Sequence, residues 1–427
     1  MDTSNQTGNP TIPLFLGHPS QNRCWTVSIF YNILELIPYE NLPYSPNVFV
    51  QRFHLLLAFA AATEKPNMKH IVVYQEDGKF AGWPANNGTW QFEGDDILVG
   101  FTRGDYQLND GHNIGPEETQ LSWVARSTDE GNSWDAYNPP NYVGDFGRIP
   151  LTKFLGKPID FSAPGFAVRM VGIAYHGAYD PEGHFFYTMN GGQSWKGSHS
   201  FGNLLEWPEL KESGFEELTP RTDYVVLGKH EALFMISARK KDQFGTDKIF
   251  CARTTDGGKS FEFVSWIVPI TDTARAVMPQ TFKMPDGTLD ACMRRRSEYG
   301  QGTENWVDAY SSQDQGKTWQ FSAKVGDAGA GNGNPPAVTA TKDGRLCAVF
   351  GDRAVGNMMA AYSSDGGKNW TAPFVLRDDF GSVDGETNDL GYPRLFSRSD
   401  GKMVALYYYS TKENLHHITA TIWDPSE

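Results

Sequence analysis

The sequence is poor in cysteine, in long apolar runs and in positive charge. Four cysteines occur among 427 residues and none forms a Cys-x-x-Cys pair, so the sequence predicts free thiols packed in strands and no metal cage. No apolar run reaches the roughly 18–20 residues that a membrane span needs. Lys and Arg number 37 against 51 Asp and Glu. A net charge of −14 argues against nucleic acid and against an anionic membrane surface as partners.

Glycine, proline and aromatic residues are plentiful instead. The chain has 44 Gly and 25 Pro, and Phe, Trp and Tyr make up 13% of it. This balance is typical of a globular protein with many short strands and turns, and it is unlike that of a disordered chain. The negative net charge does not exclude a small anionic substrate, because a local group of arginines can reverse the field inside a cleft.

One eight-residue pattern, Ser/Thr-x-Asp-x-Gly-x-Ser/Thr-Trp, occurs five times with small departures. The copies begin 61, 66, 58 and 51 residues apart, and repetition at such a period indicates a propeller or a solenoid. The copies are Ser127-Thr-Asp-Glu-Gly-Asn-Ser-Trp134, Thr188-Met-Asn-Gly-Gly-Gln-Ser-Trp195, Thr254-Thr-Asp-Gly-Gly-Lys-Ser-Phe261, Ser312-Gln-Asp-Gln-Gly-Lys-Thr-Trp319 and Ser363-Ser-Asp-Gly-Gly-Lys-Asn-Trp370.

Each part of the pattern has a mechanical role. The Asp or Asn side chain can accept hydrogen bonds from backbone N–H groups within the turn. The glycine permits a positive φ, and the aromatic residue opens the next strand and packs its ring between neighbouring sheets. We therefore interpret the pattern as a structural hairpin clamp and not as catalytic.

The five copies resemble the Asp-box repeats of the sialidase superfamily, and the resemblance covers roughly residues 70–424. Short strands alternate with turns before each copy, and the segment after the fifth copy supplies a last blade without a clamp. A strand near residue 72 could complete that blade and close the ring. We expect an all-β protein, a six-bladed β-propeller of four-stranded antiparallel blades. Seven blades would result if residues 23–66 held further strands.

Residues 1–66 do not fit the repeat and are expected to form an N-terminal extension, partly disordered or helical, before a propeller at 67–427. Within it, residues 52–62 combine a basic residue, a short apolar core and small residues. This segment resembles either a helix packed on the propeller or the core of a signal peptide. We expect a soluble protein, either cytoplasmic or exported.

Three arginines lie next to predicted strands in separate blades: Arg221 shortly before one, Arg294 at the end of one and Arg353 just past another. The guanidinium group matches a carboxylate, so arginines converging from several blades could hold the acid group of a substrate. Salt bridges between blades are the alternative. Tyr392 opens the last blade, where the resemblance implies the nucleophilic tyrosine of sialidases. Such enzymes are exceptions to the two-carboxylate scheme of glycoside hydrolysis.

The polar loop after the strand at 96–103 contains Asp105, Asp110 and His112. By resemblance this loop holds the acid/base aspartate, for which Asp110 is the first choice and Asp105 the reserve. His112 could orient that carboxylate or act itself. In the same sialidase-like site, the side chains that would shape the sugar pocket are Trp83, Asn86 and Trp90.

Two positions depart from the sialidase pattern. Gly82-Trp-Pro84 stands near the expected place of the first arginine but contains none, and the similar Gly147-Arg-Ile-Pro150 falls after the first Asp box. Where the glutamate that activates the tyrosine is expected, the sequence has Gln280. A tyrosine near its ordinary pKa of ~10 is a poor nucleophile without a base, so this departure argues against sialic acid itself as the substrate, while a carbohydrate substrate is still expected.

Three hypotheses about function result. The first is a sialidase-like exo-glycoside hydrolase acting on an acidic sugar, sialic-acid-like or uronic, with Tyr392 and Asp110 as its central residues. The second is a uronate polysaccharide lyase on the same propeller, in which His112, or Tyr175 with His176, removes the proton at C5. The third is a non-catalytic glycan-binding propeller. The sequence predicts no cofactor and no metal for any of them.

Overall fold

The computed structural model describes residues 67–426 apart from positions 95, 110, 144–150, 173–180, 203, 242, 244, 298–302, 330, 332 and 384–385. The described residues form six antiparallel sheets that follow one another along the chain. The protein is a six-bladed β-propeller, as the Asp boxes predicted. Residues 1–66 lie outside the described residues, so the N-terminal extension stays a prediction.

Blades 1 to 3 come first along the chain. Blade 1 contains β2 (Lys79–Gly82), β3 (Thr89–Gln91), β4 (Ile97–Asp105), β5 (Leu121–Ser127) and β6 (Asp135–Tyr137). Blade 2 contains β7 (Ala167–Val171), β8 (His184–Thr188) and β9 (Lys196–Ser200). Blade 3 contains β10 (Glu217–Leu218), β11 (Tyr224–Gly228), β12 (Glu231–Arg239), β13 (Lys248–Thr254) and β14 (Glu262–Trp266).

Blades 4 to 6 complete the ring. Blade 4 contains β15 (Arg275–Lys283), β16 (Leu289–Arg296), β17 (Asn305–Ser312) and β18 (Gln320–Asp327). Blade 5 contains β19 (Ala337–Ala340), β20 (Leu346–Asp352), β21 (Asn357–Ser363) and β22 (Phe374–Arg377). Blade 6 contains β23 (Gly391–Ser397), β24 (Met403–Tyr409), β25 (His417–Trp423) and β1 (Lys69–Tyr74).

Blade 6 joins the two ends of the described chain. Strand β1 pairs antiparallel with β25, from Lys69 opposite Ile422 to Tyr74 opposite Ile418. The strand predicted near residue 72 therefore does complete the last blade. Ring closure of this kind satisfies the edge of the last sheet, because the outer strand comes from the opposite end of the sequence.

The inner edges of blades 1 and 3 are interrupted. In blade 1, β2 and β3 both pair with β4, and in blade 3, β10 and β11 both pair with β12. A single helical turn, α1 (Pro84–Asn87), lies between β2 and β3 and contacts β7, β23 and β24 of other blades. The turn thus lies across the propeller axis. The remaining short helices are α2 (Pro208–Lys211) and two 3₁₀ turns at Glu117–Thr119 and Leu204–Glu206.

The fourth Asp box shows how the clamp works. Asp314 accepts the backbone N–H of Thr318 at 2.9 Å and its hydroxyl at 2.7 Å, and Trp319 donates to the Gly316 carbonyl at 3.2 Å. Gly316 has φ 81°, and a Cβ there would lie 2.9 Å from the sulfur of Cys251 in the neighbouring blade. The glycine is needed both for the turn and for the close approach of two blades.

The two ends of the axis differ in what they carry. We define the upper end as the one where β15, β19 and β23 begin, and the lower end as the one where Asp-Gly turns connect these strands to β16, β20 and β24. Side chains near the start of each inner strand therefore meet at the upper end, although they are far apart in sequence.

The cysteines and the helices of the structure can be compared with the composition of the sequence. Cys251, Cys292 and Cys347 are free, buried thiols on β13, β16 and β20, and burial raises the pKa of each. Within the described part of the chain, no helix is long and apolar enough to cross a membrane.

Candidate active site at the upper end of the axis

Tyr392 is fixed at the upper end by its backbone. Its N–H donates to the side-chain oxygen of Asn334 at 2.9 Å, and the amide of Asn334 donates to the carbonyl of Leu390 at 2.8 Å. Gly391 between them has φ 104°, and a Cβ there would lie 2.3 Å from the same amide. Only glycine permits this approach, so blade 5 holds the segment that presents the tyrosine.

The loop after β4 brings His112 to the same place. The Asn109 side chain donates to the carbonyls of Ile114 and His112, at 2.7 and 3.2 Å, which holds the loop closed. The ring of His112 lies edge-on to that of Tyr392, with 6.0 Å between their centroids. His112 is one-third exposed, so its ring can reach a molecule bound at this end.

Asp389 is the buried partner of His112. The two groups meet at 2.8 Å between Nδ1 and Oδ1, and the carboxylate side chain is only 2% exposed. The indole Nε1–H of Trp83 also lies 3.4 Å from Nδ1, a longer contact than that with the carboxylate. In the tautomer that carries its proton on Nδ1 and donates it to Asp389, Nε2 is the nitrogen that can exchange protons. This arrangement is a histidine–aspartate pair of the kind that performs general acid–base chemistry.

Several groups stabilise the ionised form of Asp389. Arg353 donates to Oδ1 at 3.2 Å, the backbone N–H of Asn113 donates to Oδ2 at 3.3 Å, and the Tyr408 hydroxyl also donates to Oδ1. Burial by itself raises the pKa of Asp389, but His112, Arg353 and Tyr408 outweigh burial and hold it at about 2. The carboxylate therefore stays charged at neutral pH.

Arg353 connects Asp389 to Tyr392. Its guanidinium carbon lies 5.6 Å from the centroid of the Tyr392 ring, within the range of a cation–π contact. Nε and Nη2 donate to the Leu390 carbonyl, and Nη2 also donates to Tyr408. Nη1 makes no hydrogen bond within the described residues, so it is the face of this arginine that a substrate carboxylate could approach.

Trp83 stands beside His112, with 4.9 Å between the ring centroids. Its backbone has φ 62°, an unusual conformation for a bulky residue. Three other residues at this end also have positive φ, namely Met278, Tyr392 and His416. Backbone strain of this kind costs on the order of 1–3 kcal/mol per residue and is concentrated at functional sites.

The other predicted arginines lie deeper. Arg294 is 2% exposed and its Nη1 lies 3.7 Å from the sulfur of Met278, which packs in the same apolar cluster as Trp83 and Tyr392. Arg221 is 5% exposed, and it donates to the Pro220 carbonyl at 2.9 Å. Arg353 therefore contacts Tyr392 from blade 5, whereas Arg294 in blade 4 contacts Met278, which shares an apolar cluster with Tyr392. Arg221 bonds its own neighbour Pro220.

Other predicted residues are distributed more widely. Asp105 forms a salt bridge with Lys79, and the Asn86 carbonyl accepts the hydroxyl of Thr222. Trp90 and Gln280 line a separate cavity below α1. The remaining predictions, Asp110, Tyr175, His176 and the segment Gly147–Pro150, lie outside the described residues.

Sequence reasoning missed Asp389, Tyr408 and Asn334. Asp389 lies only three residues before Tyr392, so its proximity was a usable signal. The contact with His112 spans 277 positions, however, and nothing in the local sequence indicates it. Within the described ranges, no three His, Cys, Asp or Glu side chains are grouped closely enough to hold a metal ion.

Comparisons with known proteins agree with this architecture. The family described as BNR repeat-like domain matches residues 250–405, which span β13 to β24. No curated protein matches the sequence significantly. The resemblance that the Asp boxes indicated, to propellers built on BNR repeats, is confirmed.

Three solved structures are similar to this chain. A protein of unknown function from Dyadobacter fermentans has 16% identity, covers 84% of this chain and 100% of its own, and gives a TM-score of 0.61. An α-L-arabinanase from Penicillium chrysogenum, complexed with arabinobiose, has 13% identity, covers 84% and 99%, and gives 0.51. A Trypanosoma rangeli sialidase in complex with the inhibitor DANA has 11% identity, covers 84% and 60%, and gives 0.52. At such identities the likeness shows the fold alone.

Proposed function

We propose that the protein is a glycoside hydrolase that removes a terminal acidic sugar, sialic-acid-like or uronic, from a glycan. The observation that carries the proposal is the His112–Asp389 pair in ring contact with Tyr392. Two solved structures with the same fold are an arabinanase complexed with arabinobiose and a sialidase, which supports a carbohydrate substrate for this chain.

The sequence has Gln280 where a glutamate would activate the tyrosine, and His112 takes the role of that missing base. A phenol needs a base close by before it can attack, and His112 is a titratable group in contact with the Tyr392 ring. Nε2 of His112 accepts the phenol proton while the tyrosine oxygen bonds to the anomeric carbon. The glycosidic C–O bond breaks, and its oxygen takes a proton from Asp110. Water then attacks the anomeric carbon and gives one proton to the Asp110 carboxylate, while the Tyr392 oxygen leaves and takes its proton back from His112.

The acid group of the sugar is assigned to Arg353 and Arg294. Arg353 keeps Nη1 directed away from its internal hydrogen bonds, and Arg294 approaches from the neighbouring blade. A tyrosine nucleophile suits an anionic substrate, because a charged Asp or Glu would be repelled by the substrate carboxylate. Trp83 forms the apolar wall beside His112.

The test is an activity screen with purified full-length protein on sialosides, uronate-containing glycans and arabinan, followed by Tyr392→Phe on the best substrate. We expect Tyr392→Phe to lower kcat by about 10³-fold or more while the dissociation constant of the substrate changes little. Tyr407→Phe is the matched control, because Tyr407 is a buried tyrosine of the same blade whose hydroxyl bonds Thr421 outside the site. Normal turnover by Tyr392→Phe would refute the assignment.

A uronate lyase is the second candidate, favoured by the same histidine–tyrosine contact. In that reaction Nε2 of His112 takes the C5 proton and the C5–H electrons form a C4–C5 double bond. The C4–O bond then breaks and the leaving oxygen takes the proton of Tyr392. The product absorbs in the ultraviolet, whereas a hydrolysis product does not, so recording absorbance in the same screen separates the two. Binding without either product would favour a non-catalytic glycan-binding propeller.

A further inference from the structure

A second cavity lies on the propeller axis below α1. It has a volume of about 310 Å³ and is bordered by residues of β3, β11, β15 and β23. Arg394 closes its upper side, because Nη2 of this residue donates to the carbonyls of Ala85 in α1 and of Thr222. The lower cavity, as we call it, is therefore separated from the site around Tyr392 by α1 and Arg394.

Unpaired polar atoms face this region. Nε of Arg394, Oε1 of Gln280 and Oγ1 of Thr89 are buried and have no hydrogen-bond partner among the described residues, and all three residues line the cavity. Arg394 itself is only 6% exposed. A buried polar group without a partner costs roughly 1–3 kcal/mol. One donor (Arg394 Nε), one acceptor (Gln280 Oε1) and one hydroxyl that can do both (Thr89 Oγ1) therefore belong to residues that line one cavity, which indicates a ligand that can both accept and donate hydrogen bonds.

The charges at the lower cavity balance. Asp223 lies on the same wall as Arg394, and its two carboxylate oxygens accept the backbone N–H and the hydroxyl of Thr281, both at 2.9 Å. Burial raises the pKa of Asp223 to about 7, and the Arg394 charge opposes that shift. A wall with one acid and one base favours neither a simple anion nor a simple cation.

Aromatic rings supply the remaining walls, from Trp90, Phe166, Tyr224 and Phe396. Apolar and aromatic faces combined with a few fixed polar groups are the usual composition of a small-molecule site, and about 300 Å³ is the lower limit of such sites. A sugar ring has apolar C–H faces and a rim of hydroxyls, which matches both kinds of wall. The volume is sufficient for one ring and not for an oligosaccharide.

We propose that the lower cavity is a second carbohydrate site, which binds one neutral monosaccharide unit at the end of the axis opposite to Tyr392. The sugar ring stacks on the aromatic wall, and its hydroxyls bond Arg394 Nε, Gln280 Oε1 and Thr89 Oγ1. The polar groups of this site are distinct from those of the proposed hydrolase reaction, because no hydrogen bond joins Arg394, Gln280 or Thr89 to His112, Asp389 or Tyr392 among the described residues. Phe396, by contrast, packs in the same apolar cluster as Tyr392.

The experiment is saturation-transfer NMR titration of the full-length protein with D-glucose, D-galactose and L-arabinose separately. We expect at least one sugar to bind saturably. Gln280→Leu removes the side-chain amide and Thr89→Val removes the hydroxyl, both at similar side-chain size, and each should weaken that binding about 5–10-fold. Thermal unfolding of both variants checks that they fold, and Thr89→Val alone suffices if Gln280→Leu does not.

His112→Ala distinguishes the two ends. It should leave monosaccharide binding unchanged, whether or not the protein proves to be a hydrolase. The proposal is overturned if none of the three sugars binds, if both lower-cavity variants bind as the native protein does, or if His112→Ala abolishes the binding. In the last case the sugar occupies the upper site.

Discussion

The two ends of the propeller axis each contain a buried aspartate, and the two aspartates behave oppositely. Asp389 at the upper end keeps its pKa at about 2, whereas the pKa of Asp223 at the lower end rises to about 7. Both are 5% exposed, so burial does not explain the difference. The difference lies in their partners, and it shows that the number and charge of donors decide whether a buried carboxylate is ionised.

Asp389 has three charged or polar side-chain partners and a backbone N–H. Among the described residues, the Asp223 carboxylate accepts hydrogen bonds only from the two groups of Thr281, since the nearby Arg394 donates its Nη2 hydrogens to backbone carbonyls. The upper end is thereby equipped with a permanent negative charge that can orient a histidine. The lower end holds a carboxyl group that is only partly ionised near pH 7.

The largest effect is expected for Asp389→Asn. The amide removes the negative charge that orients His112, so kcat should fall by about 10²–10⁴-fold while KM changes little. Steady-state kinetics between pH 4 and 9 measure both. Asp343→Asn, which breaks the surface ion pair with Arg345 at the lower end, is the control and should leave both unchanged.

Asp223→Asn should alter stability instead of activity. The folded pKa of about 7 lies above the unfolded pKa of about 4, so unfolding releases a proton and the native protein loses stability as pH rises from about 4 to 7. In the Asn variant, the decrease in the free energy of unfolding between pH 4.5 and pH 7.5 should be smaller by about 1–3 kcal/mol, as measured by urea unfolding at both pH values. Asp290, whose pKa is also raised to about 7, stays in the variant and contributes the same trend. An unchanged difference between the two pH values would contradict the comparison.

Tyr408→Phe weakens the upper end more mildly, because it removes one donor from Asp389 and one partner from Arg353. The pKa of Asp389 should rise toward its ordinary value, so acid unfolding should begin at a higher pH. We expect a 3–10-fold decrease in kcat. Tyr407→Phe again serves as the control, and equal acid stability of the two variants would show that Tyr408 contributes nothing specific to Asp389.

The smallest effect is expected for Thr281→Val, which removes the side-chain donor to Asp223 and keeps the backbone one. The pKa of Asp223 should rise further, and the pH-dependent loss of stability should extend to higher pH by less than about 1 kcal/mol. Thr339→Val, on the inner strand of the next blade, is the matched control. The free energy of unfolding is measured in urea at pH 7 and 8.5. A loss of stability that ends at a lower pH than in the native protein would contradict the prediction.

The amino-acid sequence alone determined the fold. The Asp box is a local structure, held by bonds between residues two to four positions apart, so its five copies were recognisable without any tertiary information. Their spacing gave the blade length, and the unclamped last segment predicted closure with the strand at Lys69–Tyr74. Tyr392, His112 and Arg353 were also chosen from the sequence, and these three side chains do lie together.

The tertiary structure alone decided which end of the axis each side chain serves. The register shift in β15 between Val277 and Gln280 turns Met278 toward Tyr392 and leaves Gln280 in the lower cavity. Helical turn α1 likewise separates Trp83 from Trp90, which are only seven positions apart. The alternation of side chains along a strand predicts which face each side chain occupies only while the strand is regular. A β-bulge or an inserted turn breaks this alternation. The charge states of Asp389 and Asp223 also depend on partners from distant blades, so no local pattern could have indicated them.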